Sequence, residues 1–97
     1  MSAEDTQRNP GSSDARPLDF STFLLSLGTS ALVQLGEAPD PTDGLAGPDL
    51  EAARQTIDLL GLLEVKTAGN LDTGEARLLK NLLYDLRLRF VRANGGS

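Results

Sequence analysis

The chain has no cysteine, no histidine and no tryptophan, and its aromatic content is three Phe and one Tyr. Without thiol or imidazole there is no cysteine nucleophile, no imidazole base and no ligand set for most transition-metal sites. Catalysis would have to rest on carboxylates, Lys, Tyr or Ser. The acids sit in loops and at helix starts, where capping and solubility explain them, and no two are placed as an acid and base pair. The expectation is a protein that is not an enzyme and that needs no cofactor. Absence of cysteine also removes disulfides as staples, which fits a reducing compartment and makes the cytoplasm the expected location.

A long hydrophobic run is missing as well. The longest uncharged stretch, Phe20 to Gly36, is interrupted by Ser21, Thr22, Ser26, Thr29, Ser30 and Gln34, so it reads as a buried soluble helix and not as a membrane span. The first residues carry acids and no apolar core of a secretory signal. Net charge is −5, which disfavours general binding to nucleic acid or anionic membrane. The balance is uneven, however. Residues 75–92 hold five cations against two acids, a net of +3, which leaves −8 for the remainder.

Composition divides the chain into three parts. Residues 1–17 are rich in Ser, Asp, Pro, Gly and Asn, bury too little to fold and are expected to be a disordered tail. Residues 18–93 form a helical domain, and residues 94–97 a flexible end. A core this small barely offsets the entropy of ordering it, so a partner surface is expected to contribute.

Three helices are expected, at about 19–35, 48–68 and 73–92. Asp19 is the N-cap of the first, and Gly36 stands where a left-handed C-terminal residue belongs. Phe20, Phe23, Leu24, Leu27, Ala31 and Leu35 share its core face. Its other face, Thr22, Ser26, Thr29, Ser30 and Val33, is small and uncharged. Either a second helix backbone comes close along the Thr22, Ser26, Ser30 column, or these hydroxyls face water. The segment E-A-P-D-P-T-D-G-L-A-G, Glu37 to Gly47, is a loop, with Leu45 tucked against the body. Its Glu37, Asp40 and Asp43 do not follow the calcium-loop pattern.

Pro48 stands where the first position of the second helix is expected, beside Asp49 and Glu51. Leu50, Ala53, Ile57 and Leu60 form the core face there, widened by Ala52, Leu59 and Leu63, while Leu62 and Val65 project from the polar side. Gly69 and Asn70 make the corner, with Gly69 at the position after the cap, and Asp72 with Glu75 forms a capping box for the third helix. Gly61 to Thr67 superficially resembles a phosphate-binding loop, but the Gly before Lys66 is missing and the segment is helical in pattern. On the third helix Ala76, Leu79, Leu82, Leu83, Leu86 and Phe90 face the core. Tyr84, Leu88 and Val91 form a smaller stripe nearly opposite. Its basic end could serve nucleic acid, but Arg77, Arg87, Arg89 and Arg92 do not make one stripe and aromatic platforms are scarce.

All three helices thus carry more apolar surface than a three-helix monomer buries. The expected architecture is all-α, a helical hairpin plus an N-terminal helix, completed by dimerisation. A homodimer is the first expectation, through Thr22, Ser26, Thr29, Ser30, Val33, Leu62, Val65, Tyr84, Leu88 and Val91. A heterologous protein partner is the alternative.

The segments D-F-S-T-F-L-L-S-L-G-T-S-A-L-V-Q-L-G-E from Asp19, D-L-E-A-A-R-Q-T-I-D-L-L from Asp49, K-T-A-G-N-L from Lys66 and L-L-K-N-L-L-Y-D-L-R-L-R-F from Leu78 occur in that order. Together they resemble the bacterial domain of unknown function 1844, over about Asp19 to Val91. Thr73 and Gly74 depart from the pattern, where residues better suited to a helix start are expected. The resemblance implies a small bacterial helical protein and carries no activity, ligand or catalytic residue with it.

Overall fold

The computed structural model describes residues 18–39 and 47–95. Three helices, α1 (Phe20–Gln34), α2 (Leu50–Lys66) and α3 (Thr73–Ala93), each contact the other two, and the described residues include no strand. The all-α expectation therefore holds. The tail at residues 1–17, Leu45, Asp40 and Asp43 lie outside the described residues, as does the end of the flexible segment expected at 94–97.

Each helix begins on an aspartate. The Thr22 N–H donates to Asp19 Oδ1 at 2.8 Å, and the Ala52 N–H to Asp49 Oδ1 at 3.0 Å. At α3 the capping box is complete: the Glu75 N–H donates to Asp72 Oδ1 at 2.8 Å and the Asp72 N–H to Glu75 Oε1 at 3.0 Å. These carboxylates satisfy amide donors that a helix start leaves unpaired and place negative charge at its positive end. The residues Thr73 and Gly74 do not delay α3, because the reciprocal bonds of the box span them.

The second helix starts and ends inside its expected bounds. Asp49 is its N-cap, so Pro48 precedes the helix instead of opening it. At the far end the Thr67 hydroxyl donates to the Leu63 carbonyl at 2.7 Å and Thr67 becomes the C-cap, so the helix stops at Lys66 and not at 68. Gly69 still has a left-handed backbone, φ 87°, but two residues after the cap instead of one.

At the end of α1 the Glu37 N–H donates to the Leu32 carbonyl at 2.8 Å and the Gly36 N–H to the Val33 carbonyl at 3.0 Å. With Gly36 at φ 82°, this is the paired Schellman closure of a helix. The chain then returns to the same place, since the Asp49 N–H donates to the Gln34 carbonyl at 2.8 Å and Pro48 packs on Gly36. Thr56 adds a side-chain link, its hydroxyl donating to Gln34 Oε1 at 2.7 Å. These contacts set α1 and α2 antiparallel. Gly28 lies against Leu82, and Glu37 reaches Arg89, so α3 runs parallel to α1.

The core takes Leu24 and Ala31 from α1 with Leu35 from its C-cap, Ala53, Ile57 and Leu60 from α2, and Leu79, Leu83 and Leu86 from α3. Three residues expected inside are not. Phe23 is 37% exposed, tilted against Phe20 with ring centroids 6.1 Å apart. The buried line of α1 runs through Leu24, Gly28 and Ala31, which turns Phe23 to the edge. Ala76 is exposed because it borders a hollow of about 280 Å³ beside the corner, which its methyl group does not fill. Leu59, expected to widen the α2 core face, is 41% exposed. Gly28 itself is buried, and a Cβ there would come within 3.1 Å of the Leu82 side chain, so its lack of a side chain lets α1 and α3 approach.

The two corner glycines make a direct test of this packing. A Cβ at Gly36 would lie 2.7 Å from Pro48 Cγ, whereas one at Gly69 would meet nothing within 4 Å. Gly69→Ala is expected to cost about 1 kcal/mol through backbone strain alone, and Gly36→Ala distinctly more, up to about 3 kcal/mol. Urea denaturation monitored by circular dichroism measures both, and equal midpoints would show that the Pro48 contact contributes nothing. Asp72→Ala, by the same measurement, should cost about 1 kcal/mol for the lost cap.

Candidate interaction surfaces

The residues expected to form an interface are spread over all three helices. Thr22, Ser26, Thr29 and Ser30 are exposed on α1, with Val33 half-buried beside them. Leu62 and Val65 are exposed on α2, and Tyr84, Leu88 and Val91 on α3.

The α1 surface is neutral throughout. The Ser26 hydroxyl donates to the Thr22 carbonyl at 3.2 Å, which occupies its proton within the helix and leaves a smooth, uncharged column. Leu25, 52% exposed, stands beside that column, and Phe23 lies at its edge. Leu25 is absent from the face expected from periodicity because it belongs neither to the core stripe nor to the hydroxyl column.

The α3 surface is different in kind. Tyr84, Leu88 and Val91 join Leu83, Lys80, Arg87 and Glu64 around an open groove of about 460 Å³ between α2 and α3. Leu62 and Val65 are not part of its lining. The Arg87 guanidinium lies over Gly61, within 3.1 Å of where a Cβ would be, so the glycine in the middle of α2 makes room for the arginine that walls the groove.

Charges are arranged unevenly on the helices. Arg54 pairs with Glu51 at 2.7 Å and Asp58 at 3.1 Å, and Arg89 pairs with Asp85 at 2.8 Å and with Glu37 across to the end of α1. Hydrogen bonding to Arg54, and then its charge, holds the Glu51 carboxyl below the usual carboxylate range. Asp85 first, and Glu37 second, keep the Arg89 guanidinium more firmly protonated than usual. Lys66 and Arg92 stand in last turns, where the helix carbonyls suit a cation. Arg77, Lys80 and Arg87 have neither kind of partner: among the described residues they form no ion pair.

The corner itself offers little to a ligand. The Asn70 N–H is taken by the Thr67 carbonyl at 2.8 Å and the Thr67 hydroxyl by Leu63, so these two donors serve the turn. No cluster of three metal-binding side chains occurs among the described residues, and none of their helices is long and apolar enough to cross a membrane. No curated protein and no solved structure matches the chain. A family model does match, over residues 17–92, and it spans all three helices, their aspartate caps and both surfaces: the chain belongs to the family described as a domain of unknown function, DUF1844.

Proposed function

We propose that the protein is a non-enzymatic interaction module that self-associates through the outer face of α1. The observation that carries this reading is a fifteen-residue helix without one charged side chain, Phe20–Gln34, which nevertheless leaves Phe23, Leu25, Thr22, Ser26, Thr29 and Ser30 exposed. Solvated helices ordinarily hold Lys and Glu on that side. A second copy of the same face brings no like charges together and lets small residues admit a close helix contact, while Leu25 and Phe23 supply apolar area. The acids engaged in caps and ion pairs, and the absence of histidine and cysteine, support a role without catalysis.

Sedimentation equilibrium of the full chain at tens of micromolar is expected to show a dimer. Ser26→Glu places a carboxylate on an exposed position, so it should leave helicity unchanged while shifting the mass to monomer, because each dimer would then hold two facing acids. A well-folded wild-type monomer, or an unchanged dimer in the variant, would remove the reading.

A further inference from the structure

The groove between α2 and α3 has a feature that self-association through α1 does not use. Its lining cations Lys80 and Arg87, and Arg77 one turn before Lys80 on α3, bond to no acid among the described residues, whereas Arg54 and Arg89 each bond to two. At the helical pitch, Arg77, Lys80, Tyr84, Arg87, Leu88 and Val91 lie within about 100° of one another, so the cations and the exposed apolar side chains make one stripe. From Arg77 to Arg87 the stripe runs about 15 Å, roughly three turns. Tyr84 is 72% exposed and Val91 53%, and Glu64 is the acid among the groove's lining residues.

We infer that this groove binds an acidic amphipathic helix of another protein. Apolar side chains of that helix cover Tyr84, Leu88 and Val91, while its Asp or Glu residues pair with Lys80, Arg87 and Arg77. Charge decides the occupant. A second copy laid on the same stripe sets Arg77, Lys80 and Arg87 against their own kind, which is repulsive. Nucleic acid and anionic membrane offer the right sign, but three cations with one aromatic ring, on a chain of net charge −5, make a small footprint for a polyanion. A short helix with both carboxylates and apolar side chains matches both components of the stripe. Arg87 is set for this role by Gly61, which lets the guanidinium lie along the α2 wall.

The test uses isotope-labelled full chain and a synthetic acidic helical peptide of about 18 residues, with Leu at helical spacing and Glu around it. A second peptide carries Lys in place of every Glu. Tyr84 is the only tyrosine and there is no tryptophan, so tyrosine fluorescence reports on the groove alongside amide shifts. Saturable shifts at Lys80, Tyr84, Arg87, Leu88 and Val91 are expected with the Glu peptide, and binding at least about tenfold weaker with the Lys peptide. The double variant Lys80→Glu with Arg87→Glu alters exposed side chains; with helicity retained, it should weaken the Glu peptide by a similar factor. Equal binding of the two peptides, no binding at millimolar concentration, or shifts on α1 instead would overturn the inference. So would tighter binding of a deoxythymidine oligonucleotide or of phosphatidylglycerol vesicles at the same residues. Concentration-dependent shifts of these residues without peptide would assign the groove to a second copy and overturn it equally.

Discussion

The left-handed turn at Gly36 is the constraint on which the three-helix arrangement depends. It closes α1, and the start of α2 meets it there, since the Asp49 N–H donates to the neighbouring Gln34 carbonyl and Pro48 packs on the glycine. One residue further, Glu37 reaches Arg89 of α3. A single end of a single helix therefore touches both of the others. In a core of nine buried side chains, such a junction fixes orientation that packing alone would specify weakly. The corner at Gly69 does less, because it needs only to reverse the chain between two helices that already face each other, and nothing crowds the glycine.

That small core also explains why the surface is unusual. Helices of 15, 17 and 21 residues bury two or three side chains each, and the surplus apolar residues remain outside. Single exposed leucines are ordinary on a folded surface and need no explanation. A helix without charges does, and so does a stripe of apolar residues edged by unpaired cations, since both persist beside helical faces where Arg54 and Arg89 are fully engaged with acids. Exposed ion pairs contribute little to stability, so the contrast concerns what each surface presents to other molecules and not how firmly the monomer folds.

Much of this was legible in the residues themselves. Caps are local chemistry, and Asp19, Asp72 with Glu75, and Gly36 act where their types and spacing place them. Helical periodicity found the nine core residues, and the exposed stripes of α2 and α3 followed from what it left over. Two of the errors share a cause, which is that periodicity gives a face but not its centre. Phe23 and Ala76 lie at the edges of their stripes, and only the approach of α1 to α3 at Gly28, or the hollow at the corner, decides that they fall outside. Pro48 was assigned by its helix preference, whereas Asp49 won the cap because its carboxylate reaches the Ala52 amide. The Gln34–Thr56 bond and the seating of Arg87 over Gly61 join residues 22 and 26 positions apart, which no local pattern reveals. Among the α3 cations, sequence shows their number but not that Arg89 is drawn away to Glu37 and Asp85, while Arg77, Lys80 and Arg87 form no ion pair among the described residues.

The two surfaces differ in what an association through each would do. Contact through α1 is neutral and apolar, so its strength should respond weakly to salt, and its specificity comes from shape. Contact through the α2–α3 groove is cationic, so salt screens its encounter step and charge selects its partner. Because α1 and the groove face apart, a dimer formed through α1 leaves both grooves open. Such a dimer presents two equivalent sites held at a fixed separation by rigid helices. A partner with two acidic helices that spans this distance then binds the second site at a raised effective concentration, whereas a partner with one gains nothing from the dimer. Self-association would in that case act as a filter for multivalent partners, which gives the neutral face of α1 a consequence beyond added stability.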